Sequence, residues 1–363
     1  MKTSTKTRIV FVYRNNFQRR LLREVAQGGS VPTEFLYGMD EMDTTRFDVD
    51  YVVAPRGERR SVAAWLGWCV EAPFARMVKI GLPVEIYPMF WRQLRRADVL
   101  VCANDAVAFS ILLWKWLGFI QAEVVVISHG LAERMKHFER RRVVRWFIRR
   151  LLAQAGHVFT VSDIARNVLS EGLGVPPSKL STFRFGIAPG FWKPAIAPGV
   201  GEYVFSIGND MNRDYDTLIE AMSTDRELII ATTRPVESRG RRVKCVNGLS
   251  DAEIRDLYQR ARYVVIPNTK LTYQSAGVST CLQSMACGKA TIIADSPPLR
   301  EVFTEGEDCV FYEPGNPESL RQAMERIETD EAGTLEMGHV ASEHVRARYT
   351  ITEMAKAIMS HVQ

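Results

Sequence analysis

Residues 264–295, VVIPNTKLTYQSAGVSTCLQSMACGKATIIAD, decide the predicted fold. An apolar run, a polar loop, a helical segment, a glycine and a second apolar run follow one another, which is the order of a parallel βαβ unit. The loop before the helix is rich in small residues, namely Ser275, Gly277, Ser279 and Thr280. Free N–H groups and the helix dipole favour an anion at such a helix N-terminus, so the stretch predicts a phosphate-bearing ligand, most simply a nucleotide.

The rest of the chain repeats this alternation of buried strand and helix. A strand–helix order throughout both halves predicts an α/β protein with two Rossmann-like, doubly wound parallel sheets. A chain of 363 residues is long for one core, so two domains are expected. A Pro- and Gly-rich linker closes the first half, and we predict domains at 1–192 and 193–345. The predicted strands include 8–13, 47–55, 97–104, the start of 123–135 and 157–162, then 202–210, 226–232, 241–250 and 261–268. Ser250 is predicted to cap a helix at 251–261.

The charge is distributed unevenly along the chain. The net charge is +5, but residues 1–190 hold 28 Lys and Arg against 17 Asp and Glu, a net charge of +11, and the remainder is acidic. A basic first half could face anionic lipid, nucleic acid or an anionic substrate. No RNA- or DNA-binding motif is present, so we predict no nucleic-acid partner.

Two segments of the first half combine basic and aromatic residues. Residues 57–97 mix Trp65, Trp68 and Trp91 with arginines such as Arg59 and Arg60. Residues 136–156 form a basic amphipathic helix. Both patterns suit a membrane interface. They equally suit helices that pack on a sheet and turn a solvated basic face outward, and the sequence leaves both interpretations open.

The N-terminus and the cysteines indicate a cellular compartment. The first apolar run is too short for a signal peptide, and no stretch approaches the ~18 apolar residues of a transmembrane helix. The six cysteines are scattered, which is typical of free buried thiols in a reducing compartment. We expect a cytoplasmic protein, either free or peripheral on the inner face of the membrane.

Several residues at predicted strand ends and loops are candidates for a binding site. His129 and Gly130 end a strand, where ligands bind in open α/β sheets. Gly28 and Gly29 precede a predicted helix, which Ser30 would cap, with Pro32 and Glu34 in its first turn. Glycines before a helix allow close approach of a ligand. In the second half Gly208 ends a strand, and Arg213 follows within reach of a phosphate.

The stretch SAGVSTCLQSMACGKATIIAD resembles the donor-site signature of family 4 retaining glycosyltransferases, which have the GT-B fold. That signature has a Glu, seven residues, a second Glu, then Ala-Met-Ala-x-Gly-x-Pro-Val-Ile. The segments TVSDIARNVL, FGIAPGFWKP, FSIGND, VNGLSDAEIRDLYQRARYVVIPN and EVFTEGEDCVFYEPGNPESL follow the family's order and spacing. GGSVPTEFLYGMDEM and ISHG resemble its N-terminal domain.

The resemblance implies roles for individual residues at the donor site. Gln283 stands where the second Glu binds the ribose hydroxyls, and Ser275 stands where the first Glu contacts the sugar. The diphosphate would receive N–H groups from residues 277–280. The residues with donor-binding roles are Gly28, Gly29, Gly208, Asn209, Arg213, Asn247, Ser275, Gly277, Val278, Ser279, Thr280 and Gln283.

The cations differ from the family pattern. The family places an Arg and a Lys on the diphosphate, and here Asn209 and Asp214 occupy those positions. Arg213 is one residue away from the Lys position, and Lys289 or Arg234 could add a second charge. His129 would lie near the transferred sugar or the acceptor, as the catalytic residue of the predicted site.

The resemblance implies a retaining transfer from a nucleotide-sugar to a glycan or lipid-linked acceptor of the cell envelope. The GT-B fold implies two Rossmann-like domains facing each other across a cleft, with a C-terminal helix at 346–363 packing back on the N-terminal domain. The donor phosphate would take the acceptor proton, and no metal or cofactor is expected. Because Ser275 and Gln283 replace both carboxylates, a non-catalytic GT-B scaffold or sensor is the alternative.

Overall fold

A computed structural model describes residues 6–55, 62–195 and 201–362, and for residues 62–66 it describes the backbone alone. The chain forms two compact units, Met1–Arg184 with Met354–Gln363, and Phe185–Glu353. The first boundary precedes the predicted position at 192 because Phe191 and Trp192 pack within the second unit. The Trp192 ring lies 5.9 Å from that of Tyr258, and the Arg255 guanidinium lies 4.9 Å from the Phe191 ring.

The second boundary follows the predicted position at 345. The preceding helix continues to Arg348, and Thr350 then pairs with Ile187 of the second unit. The final segment, Met354–Gln363, belongs to the first unit.

The first unit contains a six-stranded parallel sheet. In spatial order its strands are β2-β1-β3-β4-β5-β6. Helices cover both faces of such a parallel sheet, so the side chains on both sides of each strand are buried. This is why the apolar runs in the sequence are nearly continuous. The strands are β1 Thr7–Tyr13, β2 Phe47–Val53, β3 Val99–Cys102, β4 Glu123–Ser128, β5 His157–Thr160 and β6 Leu180–Thr182.

Helices connect these strands, and polar side chains cap their first turns. Asn15, Asn104 and Ser162 each accept a backbone N–H from the helix that follows. The helices are α1 Asn16–Ala26, α2 Val62–Val78, α3 Ile86–Arg95, α4 Asp105–Trp116, α5 Leu131–Arg134, α6 Arg142–Leu152 and α7 Asp163–Leu173.

The prediction of a helix after Ser30 is wrong. The structure has two short 3₁₀ turns there, Glu34–Leu36 and Met39–Glu41. Tyr37 ends the first turn in the left-handed conformation, which breaks any continuous helix. A Cβ on Gly38 would lie 2.5 Å from the Cβ of Ala355, so the chain bends where the C-terminal segment packs.

The second unit has its own six-stranded parallel sheet. The strands are β7 Tyr203–Ile207, β8 Glu227–Ala231, β9 Arg242–Val246, β10 Ala261–Ile266, β11 Thr291–Ala294 and β12 Val310–Tyr312. Their order, β12-β11-β10-β7-β8-β9, reverses direction between β7 and β10, as in the Rossmann fold. The two predicted doubly wound sheets are confirmed.

The helices of the second unit include the predicted helix after Ser250. The Ser250 side chain accepts the N–H of Glu253, whose carboxylate accepts the N–H of Ser250, which is a capping box. The helices are α8 Tyr215–Ala221, α9 Asp251–Arg260, α10 Val278–Ala286, α11 Pro297–Arg300, α12 Pro317–Thr329 and α13 Glu331–Arg348, followed by α14 Ile351–Met359.

The structure also reports on the cysteines and on membrane crossing. The six cysteines are free; Cys102, Cys281, Cys287 and Cys309 are buried, whereas Cys69 and Cys245 are exposed. In the described ranges no helix has the length and apolar character needed to cross a bilayer.

The C-terminal segment packs on the first unit through a pair of histidine rings. His157 opens β5, and its ring centroid lies 3.9 Å from that of His361 and 4.8 Å from that of Phe159. His361 also hydrogen-bonds Ser181 at 3.3 Å. Burial, with a smaller contribution from His361, lowers the pKa of His157 to about 4. The neutral His157 ring is therefore the form that the folded protein favours.

The lowered pKa of His157 predicts acid sensitivity. The unfolded chain binds a proton on this histidine near pH ~6.5, whereas the folded protein does so near pH 4, so stability falls as the pH drops through this window. His157→Phe keeps a ring and removes the titration. Between about pH 7.5 and about pH 5 we expect the variant to lose about 1–2 kcal/mol less unfolding free energy than the wild type.

Urea unfolding at the two pH values measures this difference. His339→Gln is the control, because the His339 side chain is 65% exposed. Equal acid sensitivity of His157→Phe and the wild type would contradict the role given to the histidine pair.

Candidate functional site

Two loops of the second unit come together where its strand order reverses. The segment after β7 and the segment after β10 are joined by backbone hydrogen bonds from Asp214 to Pro267 at 2.9 Å and from Thr269 to Asn212 at 2.8 Å. Crevices at the carboxyl ends of strands beside such a reversal bind ligands in open α/β sheets. The loop after β10, residues 267–277, contains the predicted donor residues Ser275 and Gly277 and forms one side of the point where the strand order reverses.

Arg213 is buried between the two loops. Its Nε donates to the Ile207 carbonyl at 3.0 Å, and its Nη2 donates to Thr280 Oγ1 at 3.3 Å. Its Nη1 donates to Asn268 Oδ1 and lies 3.3 Å from the Asp210 carboxylate. The residue is 3% exposed. The guanidinium thus links β7, the loop after β10 and the first turn of α10.

Two glycines make room for this arginine. A Cβ on Gly208 would lie 2.2 Å from Arg213 Nε. A Cβ on Gly277 would lie 2.9 Å from the Ile266 side chain and 3.2 Å from Arg213 Nη1, and Gly277 has a φ of +88°. Of the predicted site glycines, Gly208 and Gly277 are therefore required for the close approach of backbone and guanidinium.

The N-terminus of α10 carries no side-chain cap. Its N-cap residue is Gly277, whereas Asp214, Ser250 and Asn316 cap α8, α9 and α12. The predicted diphosphate residues Val278, Ser279 and Thr280 form the first turn and are half-buried. The Val278 N–H is bonded to the Ser275 carbonyl at 3.2 Å, so the N–H groups of Ser279 and Thr280 are the donors that this turn offers to an anion. Arg213, bonded to Thr280 Oγ1, adds positive charge beside them.

The structure brings together some of the other predicted donor residues. Ser275 is 5% exposed, and its hydroxyl has no hydrogen-bond partner within the described ranges. Gln283 lies on α10, within the same helix as the open first turn, and is half-buried. Asn209 follows β7, and its Oδ1 accepts the Thr233 N–H at 2.7 Å. Asn247 is exposed after β9, which lies two strands from β7 in the sheet.

Of the two additional cations considered from the sequence, Arg234 lies at the site and Lys289 does not. Arg234 donates to the Arg213 carbonyl at 2.7 Å and to the Asp210 carbonyl at 3.0 Å. Lys289 follows the C-terminal end of α10, at the opposite end of the helix from Gly277, and burial lowers its pKa. The expectation that Lys289 could contribute to the diphosphate site is wrong for this geometric reason.

His129 belongs to the first unit, at the carboxyl end of β4. Asp105, which is 7% exposed, accepts the backbone N–H groups of His129 at 3.2 Å and Gly130 at 3.0 Å. The Tyr37 ring lies 5.4 Å from the imidazole. His129 Nε2 and Asp105 Oδ1 are buried and lack partners among the residues the structure describes. Burial lowers the pKa of His129 despite the nearby Asp105, so the ring is neutral near pH ~7.

Gly28 and Gly29 have a local structural role. They end α1, with the Gly28 N–H bonded to the Val25 carbonyl at 2.9 Å and the Gly29 N–H to the Glu24 carbonyl at 2.9 Å, the pattern of a Schellman motif. A whole helix separates them from β1. The residues that follow β1 directly are Arg14 and Asn15. Contact of Gly28 and Gly29 with the donor pyrophosphate stays a prediction.

Sequence profiles of two families match the chain. "Glycosyltransferase Family 4" matches residues 40–190 and "Glycosyl transferases group 1" matches residues 237–348. The two ranges together include more than half of the sequence. The chain belongs to the family 4-like glycosyltransferases. The predicted family is confirmed, and with it an enzyme class that transfers sugars. A comparison with curated protein sequences finds no match.

Solved structures share the fold of this glycosyltransferase. Sucrose-phosphate synthase from Thermosynechococcus elongatus superposes with a TM-score of 0.71 at 15% identity, covering 98% of both chains. HepE from Anabaena, in complex with UDP and glucose, gives 0.70 at 13% identity, covering 98% and 99%. A glycosyltransferase from Rickettsia africae gives 0.68 at 13% identity, covering 98% and 97%. At these identities the likeness establishes the two-domain GT-B fold.

The sequence interpretation of this glycosyltransferase missed residues that hold the site together. Asn268 is 2% exposed; it accepts from Arg213, and its Nδ2 donates to the Ala276 carbonyl at 2.8 Å. A polar residue directly after the buried run VVIP was the available signal. A cavity of about 510 Å³ adjoins the same loop at Lys270 and extends to Asp295 and Arg300. No cluster of three metal-ligating side chains occurs in the part of the chain that the structure describes.

From the packing of Gly277 we predict that a methyl group added there destabilises the protein more than one added at an open glycine. Gly277→Ala adds strain at a positive φ and a contact with Ile266 and Arg213. Gly315→Ala is the matched control, because Gly315 has a φ of +76° but nothing within 4 Å of a Cβ. We expect the control to cost about 1–2 kcal/mol of stability and Gly277→Ala to cost more.

Nucleoside diphosphate binding distinguishes the two variants further. Titration calorimetry should show weakened binding for Gly277→Ala and wild-type binding for Gly315→Ala. If both variants lose the same stability and bind alike, the packing of Gly277 against Arg213 does not shape the site.

Proposed function

We propose that the protein transfers a sugar from a nucleoside diphosphate sugar, which the second unit binds at the N-terminus of α10. The observation that carries the proposal is the uncapped first turn of this helix over the buried Arg213. Backbone N–H groups, the helix dipole and one fixed guanidinium are the means by which proteins hold a diphosphate. They also stabilise that diphosphate as it becomes the leaving group.

The charges at this place are balanced without the family's two carboxylates. Ser275 and Gln283 are neutral, so they add no negative charge beside the diphosphate. The cations are correspondingly fewer. Arg213 bonds Thr280 of the first turn and lies 3.3 Å from the Asp210 carboxylate, which offsets part of its charge, and Arg234 is bonded to the Arg213 carbonyl. A site with fewer acids needs fewer cations for the same net potential. The substitutions are therefore compatible with transfer as well as with binding.

The transfer would retain the configuration of the sugar, with the donor phosphate accepting the proton of the acceptor hydroxyl. A phosphate oxygen in this role makes a side-chain nucleophile unnecessary, and no metal is required by the residues proposed to hold the diphosphate. The family membership supports this proposed mechanism. The acceptor would be a glycan or a lipid-linked glycan of the cell envelope, and the basic first unit favours one that carries or adjoins negative charge.

The solved structures suggest which donors to test first. HepE from Anabaena was crystallised with UDP and with UDP-glucose. A donor panel should therefore begin with uridine diphosphate sugars and extend to other bases. NMR of the product anomer would test retention.

Charge at Ser279 separates donor binding from stability. Ser279→Glu places a carboxylate in the first turn of α10, where the dipole stabilises it by about 0.3–1 kcal/mol, but where it repels a diphosphate. We expect unchanged or raised thermal stability together with about 10- to 100-fold weaker UDP binding. Ser279→Gln is the matched neutral control and should bind within a few-fold of the wild type.

The outcomes of this experiment are distinct. Equal UDP affinity of Ser279→Glu and Ser279→Gln would show that the donor diphosphate does not bind at the first turn of α10. Donor binding without turnover across a panel of donors and acceptors would favour the non-catalytic scaffold.

The proposed role of His129 can be tested separately. His129 is half-buried and neutral, and its Nε2 is unpartnered in the described ranges, which suits a hydrogen bond to a sugar hydroxyl. We expect His129→Asn to lower the transfer rate by about 10- to 100-fold while nucleotide affinity stays unchanged. His137→Gln is the control, since His137 lies in a surface turn of the same unit. Wild-type transfer by His129→Asn would exclude His129 from the reaction.

A further inference from the structure

The outer face of α6 and the two residues before it carry a group of unpaired arginines. All of them are exposed, and none forms a salt bridge with an acidic side chain in the part of the chain that the structure describes. Elsewhere exposed or half-buried arginines such as Arg166, Arg226 and Arg326 have carboxylate partners. The unpaired residues are Arg140, Arg141, Arg142, Arg145, Arg149 and Arg150.

Large apolar side chains are exposed beside these arginines. Val143 is 78% exposed and Trp146 is 50% exposed on α6, while Trp116 is 40% and Leu117 is 54% exposed at the end of α4. The Trp116 and Trp146 rings are 6.2 Å apart, so the two helices form one continuous patch. We call these four residues and the six arginines the basic–aromatic surface.

The other face of α6 is anchored in the core. Ile148, Leu151 and Leu152 are buried, and the helix packs against α4 and α7. The sequence left a core-packed helix and a membrane-surface helix as alternatives, and the structure shows the packing. The exposed side chains can therefore meet a partner without any loss of the core. Arg59 and Arg60 lie outside the described residues, as does the side chain of Trp65.

The arginines also border a cavity. It measures about 450 Å³ and is lined by Arg142, Arg145, Arg149, Arg150 and Trp146, with Leu173 and Gly174 from the end of α7. The Arg150 guanidinium lies 5.7 Å from the centre of the Trp146 ring. The volume and the charge suit a phosphate group with a small polar substituent.

We propose that the basic–aromatic surface binds an anionic phospholipid bilayer, with a headgroup phosphate in the arginine-lined cavity. Arginines paired with no carboxylate are complementary to a negatively charged membrane surface. Tryptophan rings occupy the headgroup depth of bilayers, and the aliphatic Val143 and Leu117 gain by leaving water there. Nucleic acid would use the arginines and the rings but offers nothing to these two aliphatic side chains, so lipid is the favoured occupant.

The proposal extends the proposed function by placing a lipid-linked acceptor near the enzyme, but it does not depend on transfer. Its residues belong to the first unit, whereas the donor residues on α10 belong to the second. Vesicle binding is therefore measured without any donor or acceptor, and a failure of either proposal leaves the other interpretable.

Vesicle co-sedimentation tests the electrostatic part. The full-length protein is mixed with vesicles of phosphatidylcholine containing phosphatidylglycerol, or of phosphatidylcholine alone. We expect binding to the anionic vesicles that falls with added salt, and weak binding to the neutral ones. Replacement of Arg142, Arg145 and Arg150 by Gln should weaken binding about 100-fold, since each basic residue near an anionic surface contributes about 1 kcal/mol. Arg149 is left unchanged because it packs on Gly174.

The matched control removes three exposed charges from the second unit. Lys193, Lys244 and Arg260 are exposed there, and their replacement by Gln should leave vesicle binding within about threefold of the wild type. Thermal unfolding and circular dichroism verify that both triple variants are folded. Equal weakening by the two triple variants would show a general charge effect and overturn the assigned surface.

The tryptophans test the depth of contact. Brominated phospholipid should quench tryptophan fluorescence of the wild type, and the change of Trp116 and Trp146 to Gln should weaken vesicle binding by at least about tenfold. Absence of quenching, or equally tight binding of this variant, would overturn the proposal. Duplex DNA that binds as tightly as anionic vesicles at the same salt concentration would also overturn it, in favour of a general polyanion site.

Discussion

The candidate donor site depends on one buried guanidinium. Arg213 donates to the end of β7, to Asn268 after β10 and to Thr280 in α10, and so fixes three elements at the point where the strand order reverses. An arginine buried without hydrogen bonds would be strongly destabilising, so these acceptors are a condition of its presence. The same bonds orient the open first turn of α10. The site is thus preorganised in the protein without a ligand.

Much of the fold followed from local patterns. The buried runs that became β1, β3, β4, β7 and β10 are apolar on both faces, which is typical of central strands in a covered parallel sheet. The Ser250 cap was also predicted, because capping boxes are short-range. The segment after Gly29 was mistaken for a helix, since Ser30, Pro32 and Glu34 resemble a helix start. Packing of Ala355 against Gly38 decided that conformation, and such a distant contact leaves no local signal.

The candidate site was predicted less completely for a related reason. The glycines and small residues of 275–280 were found because the loop before a helix is contiguous in sequence. Asn268 and Arg234 were harder to assign, because their roles arise from contacts with Arg213, which is distant from both in the chain. Lys289 follows Gln283 by only six residues in the chain. It lies at the opposite end of α10 from Gly277, however, and a helix of nine residues separates those two ends in space.

The contacts of Gly208 and Gly277 have an evolutionary consequence. Each glycine leaves the space that the Arg213 side chain fills, so the three positions constrain one another although they are far apart in sequence. A smaller residue at 213 would remove the contact of the guanidinium with both glycines, although their positive φ angles would still favour glycine. A larger residue at either glycine would exclude the arginine. Relatives should therefore inherit the three together, and their joint occurrence would mark descent of this donor site independently of the acidic residues.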